Sequence, residues 1–358
     1  MEMVIQKEEL MVLLNEMDTK DIRTFTVIEP YFNTKMLEIT SKNGSYEVVL
    51  SGKSHFPDYP SKEDYWDIKD IPDFYDYKEC LISSGLVKFD NWNKFTDWID
   101  YLYRSQTDPT VSSRSVFLSI DTNMAYHRLI SRRFPIEDGG KKIYASDFDY
   151  LLSSIVESEI DHHIRAKYNN SDLKMMSLYT KIGDLRFNFR NRGKLMTRKA
   201  KFATQELNYL RGKLNAARVK GTVSKKDAEK NDMHIVESLE QFSWSKNIIA
   251  ALISSDRNMG NHAENCEIPY FILEYPHSMK RKNVVVTNII LNLLHDLALT
   301  FGAVKIPEAE TTLFGLWGGK TDSDYSTESV KAWINPNSPL LKEMDIDMKV
   351  IESLKGPV

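Results

Sequence analysis

The sequence predicts an α/β protein with a mostly parallel central sheet, a helical basic insertion and an N-terminal α+β domain. Two largely apolar runs, Val116 to Ile120 with Ser119 inside it and Ile248 to Ile253, each lead to an aspartate, Asp121 directly and Asp256 after Ser254 and Ser255. Such runs suit strands buried on both faces of a parallel sheet. Between them lies a helix-rich, strongly cationic stretch from Leu173 to about Lys220. At 358 residues the chain exceeds one ordinary core and implies two or three domains.

Taken in order, residues 1–110 read as the N-terminal α+β domain. They hold a short helix from Glu8 to Glu16, strand-like runs Phe25 to Ile28 and Ser45 to Leu50, and an aromatic-acidic stretch from His55 to Tyr77. In that stretch Phe56, Tyr59, Tyr65, Trp66, Phe74 and Tyr75 stand among acids, which repel a phosphate backbone and suit a protein contact instead. Arg104 to Arg114, rich in Ser, Thr, Pro and Asp, reads as a linker.

The second domain is expected over residues 113–280. It opens with the strand ending at Asp121 and a helix from about Met124 to Arg133, a βα unit. A helix from Ser146 to His162 would place Phe148, Leu151, Leu152, Ile155 and Ile160 mostly on one side, with Ser146 as its N-cap. The basic helical insertion follows at about residues 167–230. Between Lys181 and Lys220 twelve cations face two acids, Asp184 and Glu206, an excess beyond what solubility requires. Asp232 starts a further helix carrying Ile235, Val236, Leu239 and Phe242, and the strands Ile248 to Ile253 and Ile268 to Leu273 complete the domain. Residues 281–358 form a C-terminal α/β extension with a buried helix from Val284 to Phe301, a strand Ala303 to Ile306 and a turn from Phe314 to Lys320. Gly318, Gly319 and Lys320 lack the spaced first glycine of a phosphate loop.

Composition is that of a globular chain, 42% hydrophobic and 27% charged, and the net charge of -4 confines any phosphate-binding surface to a local patch. Cys80 and Cys266 can build neither a disulfide framework nor a zinc site, which suits a reducing compartment. The opening MEMVIQKEEL lacks the basic-then-apolar pattern of a signal peptide. Asn288, Asn292, His295 and Asp296 interrupt the richest apolar run and argue against a membrane span. The expected location is cytoplasmic, with no membrane partner.

Four carboxylates stand where a metal site could assemble: Asp121 and Asp256 at strand ends, Glu159 on a helix and Asp232 at a helix start. Ligands of open α/β sheets sit at the carboxyl ends of strands. Mg2+ or Mn2+ prefers hard oxygen ligands, and acids gathered in a crevice repel one another unless a cation neutralises them. Hydrolysis of a phosphodiester is the natural reaction of such a site. Glu157 rivals Glu159. Two residues apart on a helix, they point about 200° away from each other, so only one can face the metal.

These segments together resemble the PIN-domain nucleases over about residues 113–276. SVFLSIDTN, with Asp121 and Asn123, is similar to the family's opening strand and Asp-Thr-Asn signature. IVESEID, with Glu159 before Ile160, resembles the helix bearing the second acid, and NDMHIVESL, with Asp232, the helix start bearing the third. IIAALISSDRNM resembles the strand leading to the Thr/Ser-x-Asp turn at Ser254 and Asp256, and NHAENCEIPYF, with Asn261 and Ala263, continues the match. The resemblance implies a Rossmann-like sheet, Mg2+ or Mn2+ bound by Asp121, Glu159, Asp232 and Asp256, and an endoribonuclease acting on single-stranded RNA. Asn123, Ser254, Asn258 and Asn261 are then accessory residues. The insertion of some sixty residues and both terminal regions depart from a minimal PIN domain.

In the insertion, Arg186, Arg190, Arg192, Lys194, Arg198, Lys199 and Lys201 are the candidate nucleic-acid contacts, with Phe187, Phe189, Phe202 and Tyr209 interleaved for stacking. Its bland counterpart is a solvated helical hairpin with its own aromatic core. His162 and His163 read as helix-end residues complementing the dipole. Arg257, Asn258 and His262 are second-rank phosphate or water contacts, and Trp317 and Lys320 read as a packed aromatic turn ahead of a partner or substrate surface. The expected partner is nucleic acid, RNA ahead of DNA, with a regulatory protein or self-association in addition. The alternatives are a DNA nuclease using the same site and a degenerate nuclease fold that only binds nucleic acid or protein.

Overall fold

The computed structural model describes residues 2–56, 72–108, 110, 112, 114–138, 140–179, 193–222 and 228–355. Its strands are β1 (Glu2–Ile5), β2 (Thr24–Glu29), β3 (Thr34–Lys42), β4 (Ser45–Leu50), β5 (Val116–Ile120), β6 (Ile136–Asp138), β7 (Lys141–Ile143) and β8 (Asp149–Ser153). Further along come β9 (Ala217–Val219), β10 (Ile249–Ser254), β11 (Tyr270–Ile272), β12 (Lys282–Val286), β13 (Ala303–Ile306), β14 (Thr311–Phe314) and β15 (Val330–Ile334). The chain divides into two compact units. One comprises Met1–Leu86, Lys167–Arg198 and Met279–Val358, the other Val87–Ala166 and Lys199–Ser278.

In the first unit an eight-stranded sheet runs β1-β15-β14-β13-β2-β3-β4-β12, with every neighbouring pair antiparallel. Strands from both chain ends therefore share one sheet: of the regions 1–110 and 281–358 expected as separate domains, residues 1–86 and 281–358 belong to a single unit, and residues 87–110 to the other. Apolar alternation identifies strands such as Ser45–Leu50, but not their partners several hundred residues away. The helix Thr287–Phe301 is buried from Ile290 onward and packs on this sheet and on the helix Phe74–Ser83. The expected helix start at Val284 falls instead in β12, whose β-branched run pairs with β4, and the helix begins at Thr287. Residues 57–71 of the aromatic-acidic stretch, including Tyr59, Tyr65 and Trp66, lie outside the described residues. Its flanks serve the core: Phe56 packs 5.0 Å from Tyr77, ring to ring, and the Tyr77 hydroxyl donates to the Met36 carbonyl at 2.7 Å.

The second unit is built on a five-stranded, wholly parallel sheet in the order β11-β10-β5-β8-β9. Numbered by appearance within this sheet, that order is 5-4-1-2-3, so the winding reverses between β5 and β10. The unit is thus α/β with a parallel sheet, as expected. Three local expectations change. The helix placed from Ser146 is two elements, because Tyr150, Leu151 and Leu152 form β8, buried on both faces between β5 and β9. The helix then starts at Ser154, capped by Ser153, whose Oγ accepts from the Ile155 N–H at 3.3 Å. The helix after Asp121 is broken at Arg128, which sits in the left-handed region at φ 54° between Thr122–Tyr126 and Leu129–Arg133. The buried Glu206 carboxylate accepts from the Ile130 and Ser131 N–H groups at 2.6 and 3.2 Å and caps the second piece. The linker expected from Arg104 begins later, since the helix Trp92–Thr107 buries Trp92, Phe95, Ile99 and Leu102 along one side. Among the described residues no helix is long and apolar enough to cross a membrane.

Candidate functional site

Parallel pairing in register, with Ile120 opposite Ile253, brings the ends of β5 and β10 to one edge of the sheet. Asp121 follows β5 and caps the helix Thr122–Tyr126, accepting from the Met124 N–H at 2.7 Å. The Ser254 hydroxyl at the end of β10 donates to the other Asp121 oxygen at 2.5 Å and accepts from the Asp256 N–H at 2.8 Å. Asp256 in turn caps the helix Arg257–Asn265 through the Asn258 N–H. Burial pushes the Asp121 carboxyl up to about 6. The bonds from Ser254 and Met124 oppose this, and the charge of Asp256 adds to it.

β8 lies beside β5, so the helix that follows it starts at the same edge. From this helix Glu159 accepts from the Thr122 hydroxyl at 2.5 Å and from the Asn231 amide at 3.2 Å. Glu157 instead binds Arg211 at 2.5 Å and Arg218 at 2.6 Å. The two glutamates thus divide as their helical spacing requires: Glu159 faces the residue after Asp121, and Glu157 ties the helix to the basic segment. Asp232 does not start its helix; it lies half-buried inside Ala228–Lys246. From that helix the side chain reaching Glu159 belongs to Asn231. Thr122 and Asn231 were missed as site residues, although each adjoins an aspartate already singled out.

Among the accessory candidates Ser254 is buried against Asp121, whereas Asn123, Asn258 and Asn261 are exposed. Of the cationic candidates, Arg186, Arg190 and Arg192 lie outside the described residues, as do Phe187 and Phe189. Lys194 stands 3.8 Å from Asp172, and Lys199 and Lys201 are half-buried. Arg198 is no surface contact: it is 0% exposed, and its guanidinium donates to the Thr300 carbonyl and, at 3.0 Å, to the Tyr168 hydroxyl. Spacing on a helix shows that a cation is present, not whether the fold closes over it. Phe202 is buried, and Tyr209 half-buried. His162 and His163 lie edge to face in the last turn of their helix, 5.5 Å apart. Lys320 is buried in its turn, donating to the Gly315 and Ser329 carbonyls with its ammonium 4.4 Å from the Trp317 ring.

A desolvated Asp121 beside the charge of Asp256 is a pair of hard oxygen donors whose repulsion a dication would relieve. Mg2+ commonly takes one or two carboxylates and fills its remaining positions with water and phosphate, so these two residues fit it. Among the described residues no group of three or more His, Cys, Asp or Glu is placed to hold an ion. No protein-family model matches the chain, and a comparison with curated proteins returns no match.

Proposed function

We propose that this chain is a divalent-metal-dependent nuclease of the PIN type that cuts single-stranded RNA. The observation that carries this reading is the meeting of Asp121 and Asp256 where a five-stranded parallel sheet reverses its winding. Crevices at such points are where open α/β sheets bind ligands. The resemblance of SVFLSIDTN, IVESEID and IIAALISSDRNM to PIN segments supplies the reaction class.

Mg2+ or Mn2+, when bound here, would supply Lewis acidity toward the phosphoryl oxygens and ease deprotonation of the attacking water. Asp121 and Asp256 would hold the ion. Ser254 and the Met124 and Ser255 N–H groups fix the Asp121 rotamer, and of the carboxylate's four lone-pair sites one is left for a ligand. Glu159, oriented by Asn231 and by Thr122, the residue after Asp121, would hold a water or a second oxygen contact. Asp232 adjoins Asn231 on the helix Ala228–Lys246 and is proposed as a further acid of the site.

The test is cleavage of end-labelled single-stranded RNA and DNA in Mn2+, comparing the wild-type chain with Asp256→Asn. The expected result is RNA cleavage that the substitution and EDTA both abolish. Cleavage of DNA alone would transfer the site to a DNA nuclease. Binding without cleavage of either would favour a fold that retains nucleic acid and has lost the chemistry.

A further inference from the structure

The eight-stranded sheet ends at β12, which pairs with β4 on one side and with no strand on the other among the described residues. The Leu50 N–H donates to the Arg281 carbonyl at 2.8 Å, and from that bond the antiparallel ladder alternates. Asn283 and Val285 therefore turn their backbone groups toward β4, whereas Lys282 and Val284 turn theirs outward. The side chains of Lys282, Val284 and Val286 share one face, and the two valines are 66% and 60% exposed. An edge of this kind is a template for another strand, and neither a proline nor a bulge blunts it.

Charge decides which strand fits. Lys280, Arg281 and Lys282 stand exposed at the start of the edge. The one acid of β4, Glu47, is already held by Lys42 at 2.6 Å and by Lys282 at 2.8 Å. Past the other end of β12 begins the helix Thr287–Phe301, whose N-cap is Val286 and whose first turn contains no acid. No side chain there caps the free N–H groups or offsets the positive end of the helix dipole. Both ends of the edge are thus electropositive, with two exposed valines between them.

These features separate the possible occupants. A second copy paired through β12 about a two-fold axis at Val284 would lay Lys282 of one copy opposite Val286 of the other, bringing cations onto the positive helix end. Nucleic acid would meet the cations and leave the outward row of N–H and C=O groups unpaired. An extended peptide satisfies that row by main-chain bonds, and carboxylates on it answer the charge at both ends.

We propose that β12 is a docking edge for an extended, acidic segment of a partner protein. The segment adds a ninth strand to the sheet, with apolar side chains over Val284 and Val286 and carboxylates at Lys280 and Arg281 and at the start of the helix Thr287–Phe301. The edge lies wholly in the first unit, and its role is independent of the nuclease reading.

The test titrates the full chain into a fluorescein-labelled nine-residue peptide, an alternating Val-Thr-Val-Thr-Val centre with two glutamates at each end, and reads fluorescence anisotropy. A counterpart peptide carries lysines in place of the glutamates. The glutamate peptide is expected to bind roughly 10-fold more tightly than the lysine peptide. Val284→Pro removes an N–H that faces away from β4, so the ladder keeps its bonds while affinity for the glutamate peptide falls about 10-fold or more. Lys280→Glu combined with Arg281→Glu, both exposed, should erase most of the preference for glutamate and leave the thermal midpoint unchanged. Hydrogen exchange of the Lys282 and Val284 amides should slow when the glutamate peptide binds. Equal affinity for the two peptides overturns the proposal, as does unslowed exchange at these amides. Dimerisation of the wild-type chain that Val284→Pro abolishes also overturns it and gives the edge to a second copy. Displacement of the peptide by single-stranded RNA overturns it in favour of nucleic acid. Should Val284→Pro fail to fold, the exchange pattern of the wild-type chain and the doubly charge-reversed variant decide the question.

Discussion

Ser254 donates its hydroxyl hydrogen to the Asp121 carboxylate at 2.5 Å, joining the ends of the two central strands of the parallel sheet. The same oxygen accepts from the Asp256 N–H at 2.8 Å, so one serine sets the spacing of both candidate metal-binding aspartates.

That arrangement makes stability depend on pH and on metal. The Asp121 carboxyl, ordinarily near 3.8, sits at about 6 in the fold, so the folded chain holds this proton more tightly than the unfolded one. Its contribution to stability is complete below about 3.8 and lost as the pH rises through about 6. Asp121→Asn is therefore expected to raise the metal-free thermal midpoint at pH 8 relative to wild type and to be close to neutral at pH 3.5. Mg2+ should raise the wild-type midpoint at pH 8 and leave that of Asp121→Asn unmoved. Differential scanning fluorimetry reads both effects, and an equal Mg2+ shift in the two proteins would count against metal at Asp121.

The two glutamates of the helix Ser154–His163 separate chemistry from stability. Glu159→Gln, beside Thr122 and Asn231, should reduce cleavage about 100-fold or more with little change in melting. Glu157→Gln breaks the bonds to Arg211 and Arg218. Because both arginines are largely solvated, the expected loss is modest, about 1–2 kcal/mol by urea denaturation, with cleavage retained. Reversal of the two phenotypes would exchange their roles.

Arg198 predicts a stability defect in place of a binding defect. Truncation to alanine removes a fully buried side chain and the donors to the Thr300 carbonyl and the Tyr168 hydroxyl, at a cost of about 3 kcal/mol. The salt slope of RNA binding should be unchanged in Arg198→Ala at temperatures where it remains folded. A reduced slope would return Arg198 to the phosphate-contacting surface.

Gly315 marks a tight backbone approach in the eight-stranded unit. A Cβ there would lie 2.2 Å from the Ala298 carbonyl oxygen and 2.3 Å from the Leu299 nitrogen, both in the last turn of the buried helix Thr287–Phe301. Neither backbone atom can swing aside as a side chain would, so Gly315→Ala is expected to cost about 3 kcal/mol or to prevent folding. A thermal midpoint within a degree or two of wild type would show that the helix can slide to make room.

What the sequence by itself determined was local. The runs Val116–Ile120, Ser45–Leu50 and Ala303–Ile306 are strands at the bounds their patterns indicated, and Asp121 and Asp256 stand at the ends of buried strands as read. Periodicity and β-branching act within a few residues, and a chain carries that information in its order. The tertiary structure alone decided that Tyr150 to Leu152 form a strand, since the same apolar spacing fits a helix until β5 and β9 supply hydrogen-bonding partners on either side. It alone joined the two chain ends in one antiparallel sheet, enclosed Arg198, and turned Glu157 to the arginines and Glu159 to Thr122. Pairing, register and burial are properties of neighbours brought together from far along the chain, and spacing within one segment does not contain them.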